Sequence, residues 1–411
     1  MRSRLDVALL FTTRMIRMFA YGALALMLVL YLKQIGLSGG AIGLLLSMTL
    51  FGDTLLSLWL TTSADRIGRK RMLVAGAGLM ALGGLGFALT ESFIPLLLAA
   101  TVGVISPRAT EVGPFLAIEQ AALAQTVAPE RRTHVFAWYH LAGSVAAAAG
   151  AFMCGRFLQA LEQRGVEPLA SYHAVFYAYA AVGLLLGVLF LFVSHRAEAP
   201  PSEQSRITGQ RGLIGLHKSR KIVLVLSGLF ALDAFAGGFV LDSVVADWFH
   251  DRFKADKDEL GSILGAANLL AGLSALVAAP LARRFGLLNT MVFTHVPSNV
   301  LLLLVPFMPT LPLAVAVLLL RFAISQMDVP TRQSYTVAVV APDERSAAAG
   351  VTGVARSTGA ALSPFLAAVL LGSPLLRGGL LFVAGGVLKL VYDGLVYGLF
   401  RRVRPPEEVG R

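Results

Sequence analysis

The sequence predicts an all-α integral membrane protein: twelve transmembrane helices in two pseudo-symmetric six-helix halves. Three observations predict it. Apolar runs of about 20 residues, the length that crosses a bilayer as a helix, recur from end to end of the 411-residue chain. The chain is 56% hydrophobic and 14% charged, with a mean hydropathy of +0.73, whereas soluble domains carry about 25% charged residues. Short motifs also recur at nearly fixed offsets in the two halves.

Hydropathy places the spans at residues 7–32, 40–62, 72–90, 94–124, 133–158, 170–194, 221–247, 259–281, 290–307, 311–339, 350–372 and 378–400. The first run carries Arg14 and Arg17 and no small-residue cleavage site, so it reads as a span and not as a signal peptide. The fourth and tenth runs are longer than a span needs and are expected to tilt or to project from the bilayer. Residues 1–195 form one half, 196–220 a cytoplasmic linker, 221–402 the other half and 403–411 a tail. Pro200, Pro201 and Ser202 among mixed charges give the linker its flexible character.

Charge sets the orientation. The hairpin from Ala64 to Leu73 holds Asp65, Arg66, Arg69, Lys70 and Arg71 between two apolar runs, and clustered Lys and Arg stay on the cytoplasmic side. Counting helices from it puts Arg2, Arg4, Arg131, Arg132, Arg283, Arg284, Arg401 and Arg402 on the same side, against Lys33, Arg164, Arg252, Lys254, Lys257 and Arg377 outside. Both termini are therefore expected in the cytoplasm, at the cell (inner) membrane. The net charge of +11 follows from topology and anionic headgroups, and nucleic acid is not an expected partner. Cys154 is the sole cysteine, which excludes an internal disulfide and a cysteine metal cluster. Gly76-Ala-Gly78-Leu-Met-Ala81 matches a dinucleotide fingerprint but lies inside a span and not after a strand. No cofactor or metal is expected, and no nucleophile–base–orienter set points to an enzyme. Gly183/Gly187, Gly261/Gly265 and Gly394/Gly398 read as close-packing motifs between helices.

The repeat is visible in residues. Val127-Ala128-Pro129 matches Val340-Ala341-Pro342, and the same offset pairs Arg132 with Arg345, Gln120 with Gln333, Glu119 with Arg332 and Arg108 with Arg321. A second offset aligns Ala64-Asp65-Arg66-Ile67-Gly68 with Ala282-Arg283-Arg284-Phe285-Gly286. Repeated six-helix halves are an architecture of secondary transporters.

On these motifs the chain resembles the major facilitator superfamily over essentially its whole length. The family's hallmark between its second and third helices, G-x-L-a-D-r-x-G-r-k-x-x-l, is matched at Asp65, Arg66, Gly68, Arg69, Lys70 and Leu73, with Thr61 and Ser63 in place of the usual Gly and Leu. Arg108 to Gly113 is similar to a second family motif. The proline-containing antiporter motif of helix 5 is absent from Gly143 to Gly155, and Gly359-Ala-Ala-Leu-Ser363-Pro364 in helix 11 is loosely similar to it. The resemblance implies alternating access around a central cavity lined by helices 1, 4, 7 and 10, with the hairpin as a gating element.

Charges inside spans carry the chemistry, since each costs about 2.5–3.5 kcal/mol at a helix centre unless it finds a partner or a cavity. At helical spacing, Arg108, Glu111, Phe115 and Glu119 fall on one face of helix 4, and Arg321, Ser325, Asp328, Arg332 and Tyr335 on one face of helix 10. Arg14, Arg17 and Tyr21 make a stripe on helix 1, and Asp233 on helix 7 stands about where Arg14 does. Charge is inverted between halves at Arg14/Asp233 and Glu119/Arg332, so these groups are expected to pair across the cavity. A carboxylate that exchanges an arginine partner for a proton couples a gradient to helix movement. Glu119, Glu111, Asp328 and Asp233 are the candidates for that exchange. Arg14, Arg17, Arg108, Arg321 and Arg332, with Tyr21 and Tyr335, are candidates to line a substrate cavity, guanidinium being suited to carboxylate or phosphate. Arg356 and an i, i+4 pair of Lys389 with Asp393 read as structural. Pro107, Pro114 and Pro330 are expected to kink helices 4 and 10.

The expected function is secondary transport, with proton-coupled export of a small organic or toxic compound as the leading reading. Proton-coupled uptake or exchange of a small organic anion is the alternative, and a non-transporting receptor or scaffold is the alternative of another class. The expected partners are a small-molecule substrate, protons and the lipid bilayer, with the chain as a monomer. The hairpin yields a first prediction: Asp65→Asn slows transport by about tenfold while leaving ligand affinity within about twofold, read by flux and by thermal-shift titration. Equal loss of affinity and rate contradicts a purely gating role.

Overall fold

In the computed structural model, residues 2–109, 115–126, 132–194, 218–341, 344–371, 379–403 and 405 are described, without the side chains of 2–4, 60–66, 117, 121, 124–126, 132–134, 137, 337, 345–347 and 367–371. The hydropathic runs fold as helices. In chain order they are α1 (Arg2–Gln34), α2 (Gly39–Ile67), α3 (Arg69–Leu89), α4 (Phe93–Val102), α5 (Phe115–Thr126), α6 (Arg132–Gln163), α7 (Pro168–Leu191) and α8 (Arg220–Gly238). There follow α9 (Asp242–Phe253), α10 (Lys257–Phe285), α11 (Leu287–Leu304), α12 (Leu311–Ser325), α13 (Asp328–Ala338), α14 (Arg345–Leu371) and α15 (Leu380–Phe400). Ten stretches among the described residues are long and apolar enough to cross a membrane. The α4–α5 segment and α14 stand where the fourth and eleventh spans are expected.

The described chain forms two compact units: Met1–Gly209 with Asp242–Asn268, and Gln210–Leu241 with Leu269–Arg411. Their internal packing repeats. In the first, α1 runs along α6 and α3 along α7; in the second, α8 runs along α14 and α11 along α15. These are the same span pairs, first with fifth and third with sixth, in each half. Small residues let the paired backbones close. A Cβ on Gly150 would stand 1.9 Å from the Phe19 carbonyl of α1, and one on Gly359 would stand 2.2 Å from the Ala231 carbonyl of α8. A Cβ on Gly183 would stand 2.6 Å from Ala81 N and one on Gly261 2.7 Å from the Ala151 carbonyl, but Gly394 and Gly398 meet nothing within 4 Å. The last pair therefore is not a packing motif in this chain, because both residues lie on the exposed face of α15.

The hairpins recur too. Gly68 between α2 and α3 has φ 114, and Gly286 between α10 and α11 has φ 85, a conformation that glycine alone adopts without strain. This explains why glycine is the shared final residue of the two hairpin motifs.

Spans 4, 7 and 10 are broken, not merely kinked. α4 ends at Val102, and Gly103, its C-cap, is four residues before Pro107. α12 ends at Ser325, with Gln326 four residues before Pro330. A proline ring opposes the carbonyl four residues back, so each break begins where that clash falls. Pro330 itself is tolerated because it sits in the first turn of α13. Proline is not sufficient, since α10, α11 and α14 continue through Pro280, Pro297 and Pro364. Span 7 breaks without proline: after Gly237 and Gly238 the backbone tightens into turns from Phe239 to Ala236 and Val240 to Gly237. The fourth and tenth runs thus each contain a break.

The packing account predicts that Gly359→Ala lowers the melting temperature in detergent, at about 1–3 kcal/mol of overpacking. Gly394→Ala, on an open helix face, leaves it unchanged or raises it slightly. Equal losses at both sites would contradict the account.

Candidate functional site

Each unit buries one knot of charge, built on the helices that the glycine crossings bring together. In the first unit, Arg17 of α1 and Glu119 of α5 are both fully buried. Arg17 Nη1 and Nη2 donate to Glu119 Oε1 and Oε2 at 2.8 and 2.7 Å, the bidentate geometry that makes such pairs strong. The Tyr139 hydroxyl of α6 donates to Oε2, and Thr13 Oγ1 lies 3.4 Å from Oε1. Arg14 stacks its guanidinium over the Tyr139 ring at 4.2 Å, and Arg17 over Phe115 at 4.4 Å. Tyr21 is buried one turn further, stacked on Tyr179.

The second unit inverts the polarity. Asp233 of α8 is the centre, 4% exposed. Its Oδ2 accepts from Arg332 Nη1 of α13 at 3.0 Å and its Oδ1 from Lys389 Nζ of α15 at 2.5 Å. Arg356 Nη1 of α14 stands 3.8 Å from Oδ2, and His295 Nε2 of α11 stands 3.8 Å from Oδ1. Arg332 Nη1 also reaches Asp328 Oδ2 at 3.1 Å. Asp393 of α15 lies beside this group, with its Oδ1 2.7 Å from His295 Nδ1 and its Oδ2 accepting from Asn299 Nδ2 at 2.8 Å. Four helices thus converge on one carboxylate of a fifth.

The expected pairing is corrected in one respect. The ion pairs that Glu119, Asp233 and Arg332 make run inside each unit: span 1 to span 4 in the first, span 7 to span 10 in the second. The inversion noted at Glu119/Arg332 is real, but its meaning is local. A helix-1 arginine meets a helix-4 glutamate, and a helix-7 aspartate meets a helix-10 arginine. Pairing within a half removes two charges from hydrocarbon wherever the other half stands.

The continuous stripes do not survive. Arg108 lies in the non-helical stretch after α4, and its carbonyl accepts from the Ser106 hydroxyl, so it shares no helix face with Phe115 and Glu119. Glu111 lies outside the described residues, as does Pro114. Arg321 belongs to α12, half-buried with its guanidinium 4.6 Å over Phe322, while Asp328, Arg332 and Tyr335 belong to α13. Tyr335 points into apolar packing with Leu226, Phe230 and Met291 and donates to the Val403 carbonyl at 2.9 Å. In the hairpin, Arg69 is buried and Lys70 half-buried, and Gly68 makes the turn. The side chains of Asp65 and Arg66 lie outside the described residues.

Within the first unit, the stretch after α4 meets the start of α9. Asp242, at the start of α9, accepts the Ala109 N–H on its Oδ2 at 2.9 Å, and the Ser243 N–H approaches the Pro107 carbonyl at 3.4 Å. Further along α9, Asp247 and Asp251 both bind Lys33 Nζ of α1, at 2.7 and 2.8 Å, and Lys257 of α10 bonds Glu162 of α6.

His295, Asn299, Lys389 and Asp393 belong to this cluster and were not among the candidates that the sequence singled out. Lys389 does not pair with Asp393 one turn away; it reaches α8 instead. The usable signal was the rule that any ionisable residue in a span marks a site until a partner is found.

A family model described as Major Facilitator Superfamily matches residues 10–245 and 223–411. The membrane protein YJR124C of Saccharomyces cerevisiae is 28% identical over 422 residues, covering 96% of this chain and 94% of that one. The multidrug resistance protein MdtG of Dickeya zeae is 24% identical over 264 residues, 62% of this chain and 60% of its own. Among solved structures, the nucleoside transporter NupG superposes with a TM-score of 0.76 at 14% identity, covering 96% of this chain and 99% of that one. A D-xylose-proton symporter superposes at 0.75 and 13% identity, covering 98% and 99%. These likenesses extend to the fold.

Burial of the Arg17–Glu119 pair sets a stability prediction. Arg17→Met strands a fully buried carboxylate and is expected to cost about 3–5 kcal/mol, whereas Arg17→Met with Glu119→Leu restores most of it. Thermal melts of the purified variants read the difference. A single variant as stable as the wild type contradicts the pairing.

Proposed function

This chain belongs to the Major Facilitator Superfamily, and on that premise we propose that it is a proton-coupled secondary transporter that exports a small organic compound by alternating access. One observation carries the coupling part: Asp233, Arg332 and Lys389 form a buried group, with half-buried Arg356 at its edge, in which several cations share one carboxylate. Such a group has more than one internally balanced arrangement, so adding a proton changes which cation holds Asp233 and therefore which helices are tied together. Glu119, held by Arg17 and Tyr139, is the matching exchangeable carboxylate of the first half. Asp328, sharing Arg332 with Asp233, supplies a second resting place for that guanidinium.

The direction of transport rests on the similarity to a multidrug resistance protein. Arg17 and Arg332, which a carboxylate substrate would need, are already held by carboxylates of the protein, and this favours an uncharged or cationic compound over an anion. Arg14 over Tyr139 supplies an aromatic and cationic edge to the same region. We place both termini in the cytoplasm of a cell (inner) membrane protein, from the basic hairpin, and take the monomer as the working unit.

The test is flux in proteoliposomes. A pH gradient drives movement of a lipophilic cationic dye by the wild type, and a protonophore abolishes it. Asp233→Asn and Glu119→Gln each reduce the driven flux by about tenfold or more, the loss of about 1.4 kcal/mol at the rate-limiting barrier. Full proton-driven flux in both variants contradicts the assignment. Stabilisation by organic acids and not by cationic or neutral compounds in a thermal-shift panel contradicts the substrate class.

A further inference from the structure

The three carboxylates of the second-half cluster differ in one respect. Asp233 faces the permanent cations Arg332, Lys389 and Arg356, and Asp328 faces Arg332. Asp393 has a different neighbourhood: its hydrogen bonds are to the imidazole of His295 at 2.7 Å and the amide of Asn299 at 2.8 Å. Its cationic partner is therefore one that exists only when protonated. With His295 neutral, Asp233, Asp328 and Asp393 balance Arg332, Arg356 and Lys389, so the cluster carries no net charge into the membrane, the arrangement with the least desolvation penalty. One added proton is the smallest charge change this group can undergo.

We propose that His295 and Asp393 form the binding site for the coupling proton, and that its arrival displaces Lys389 from Asp233. This rests on the proton-coupled reading above. Two groups face His295 Nδ1, the Asp393 carboxylate at 2.7 Å and the Asn299 amide nitrogen at 3.1 Å; the nearer is an ionised acceptor, so we assign the proton of neutral His295 to Nδ1. The ring's lone pair is then at Nε2, which faces Asp233 Oδ1 at 3.8 Å. The proton binds there, taken from water, and the imidazolium donates through both nitrogens, Nδ1 to Asp393 and Nε2 toward Asp233 Oδ1. That oxygen is already the acceptor for Lys389 Nζ at 2.5 Å. Two cations now compete for one oxygen, while Arg332 keeps the other at 3.0 Å.

The consequence is a change in which helices are joined. Before the proton arrives, α15 is tied to α8 through Lys389 and Asp233. Afterwards α11 is tied to α8 through His295, and Lys389 is released. Among the described residues, the charged groups that face His295 or the Asp233 it approaches are Asp393 and Lys389 from α15, Arg332 from α13 and Arg356 from α14, with Asp328 sharing Arg332. Asn299, one turn along α11, holds Asp393 in register. Tyr392 meets the imidazole edge-on at 5.8 Å and closes its remaining side. His295 itself is 5% exposed, so the proton, once bound, is sheltered from bulk water.

The measurement is nitrogen-15 spectroscopy of the ring nitrogens in histidine-labelled protein in lipid nanodiscs, with His295→Gln identifying the His295 signals. The expected result is one protonated and one unprotonated nitrogen at about pH 8 and both protonated at about pH 5. Asp393→Asn weakens the proton affinity of His295 about tenfold or more, because the imidazolium loses its carboxylate. Lys389→Met, which leaves Asp233 with Arg332 and tests the same site without removing a carboxylate, strengthens it by a similar factor. Signals that stay neutral across this range, or a proton affinity unchanged in both variants, overturn the proposal. A titrating His295 with both shifts, in a protein that moves dye without regard to the pH gradient, supports the proton site and sinks the transport reading.

Discussion

A charge placed in hydrocarbon must find its partner inside the protein, and this constraint organises the whole chain. Arg17 and Glu119 answer it in one half, and Arg332 and Asp233 in the other, with the signs exchanged. The contacts require helix backbones close enough for side chains to meet. Gly150 against Phe19 and Gly359 against Ala231 provide that closeness at the equivalent crossings. The two halves therefore share their backbone geometry while differing in the charge that each helix contributes. Inherited packing and divergent chemistry sit on the same helices.

The breaks in spans 4, 7 and 10 serve the same end. A continuous helix fixes the direction of every side chain at 100° per residue, and a break frees the segment beyond it to aim differently. After the break at Gln326, α13 turns Asp328 and Arg332 toward Asp233 while Tyr335 enters the apolar packing under Phe400. After the break at Phe239, α9 turns Asp242 toward the backbone of Ala109 and presents Asp247 to Lys33. Exposed backbone of this kind is tolerated in a membrane where other groups satisfy it. The Asp242 carboxylate does this for Ala109, and the Tyr179 hydroxyl for the Val104 carbonyl.

Much of this was legible in the residues. Hydropathy located the spans, and the offset linking Glu119 to Arg332 exposed the repeat. The glycine common to both hairpins needed only its φ to be understood. What failed was any inference that assumed helices run unbroken. The stripe from Arg108 to Glu119 required one continuous helix, and Pro107 had already ended it. The partner of each charge was also hidden. Lys389 and Asp393 are one turn apart, which invited a local pair, but Lys389 is long enough to reach α8 and Asp393 finds imidazole on α11. Only tertiary packing decides between a neighbour on the same helix and one on the next. His295 gave no sequence signal beyond being an isolated histidine in a span.

Asp233 is a shared acceptor, and on the proposal above its bound partners report the state of the second half. The claim reduces to one quantity, the coupling between Asp233 and Lys389 as a function of pH. A double-mutant cycle with Asp233→Asn and Lys389→Met, read by thermal stability in nanodiscs, measures it. The account predicts a coupling that is strong at about pH 8 and falls by more than half near pH 5, as His295 takes over Asp233 Oδ1. A coupling of the same size at both values would mean that the cluster is a static brace, and would contradict the account.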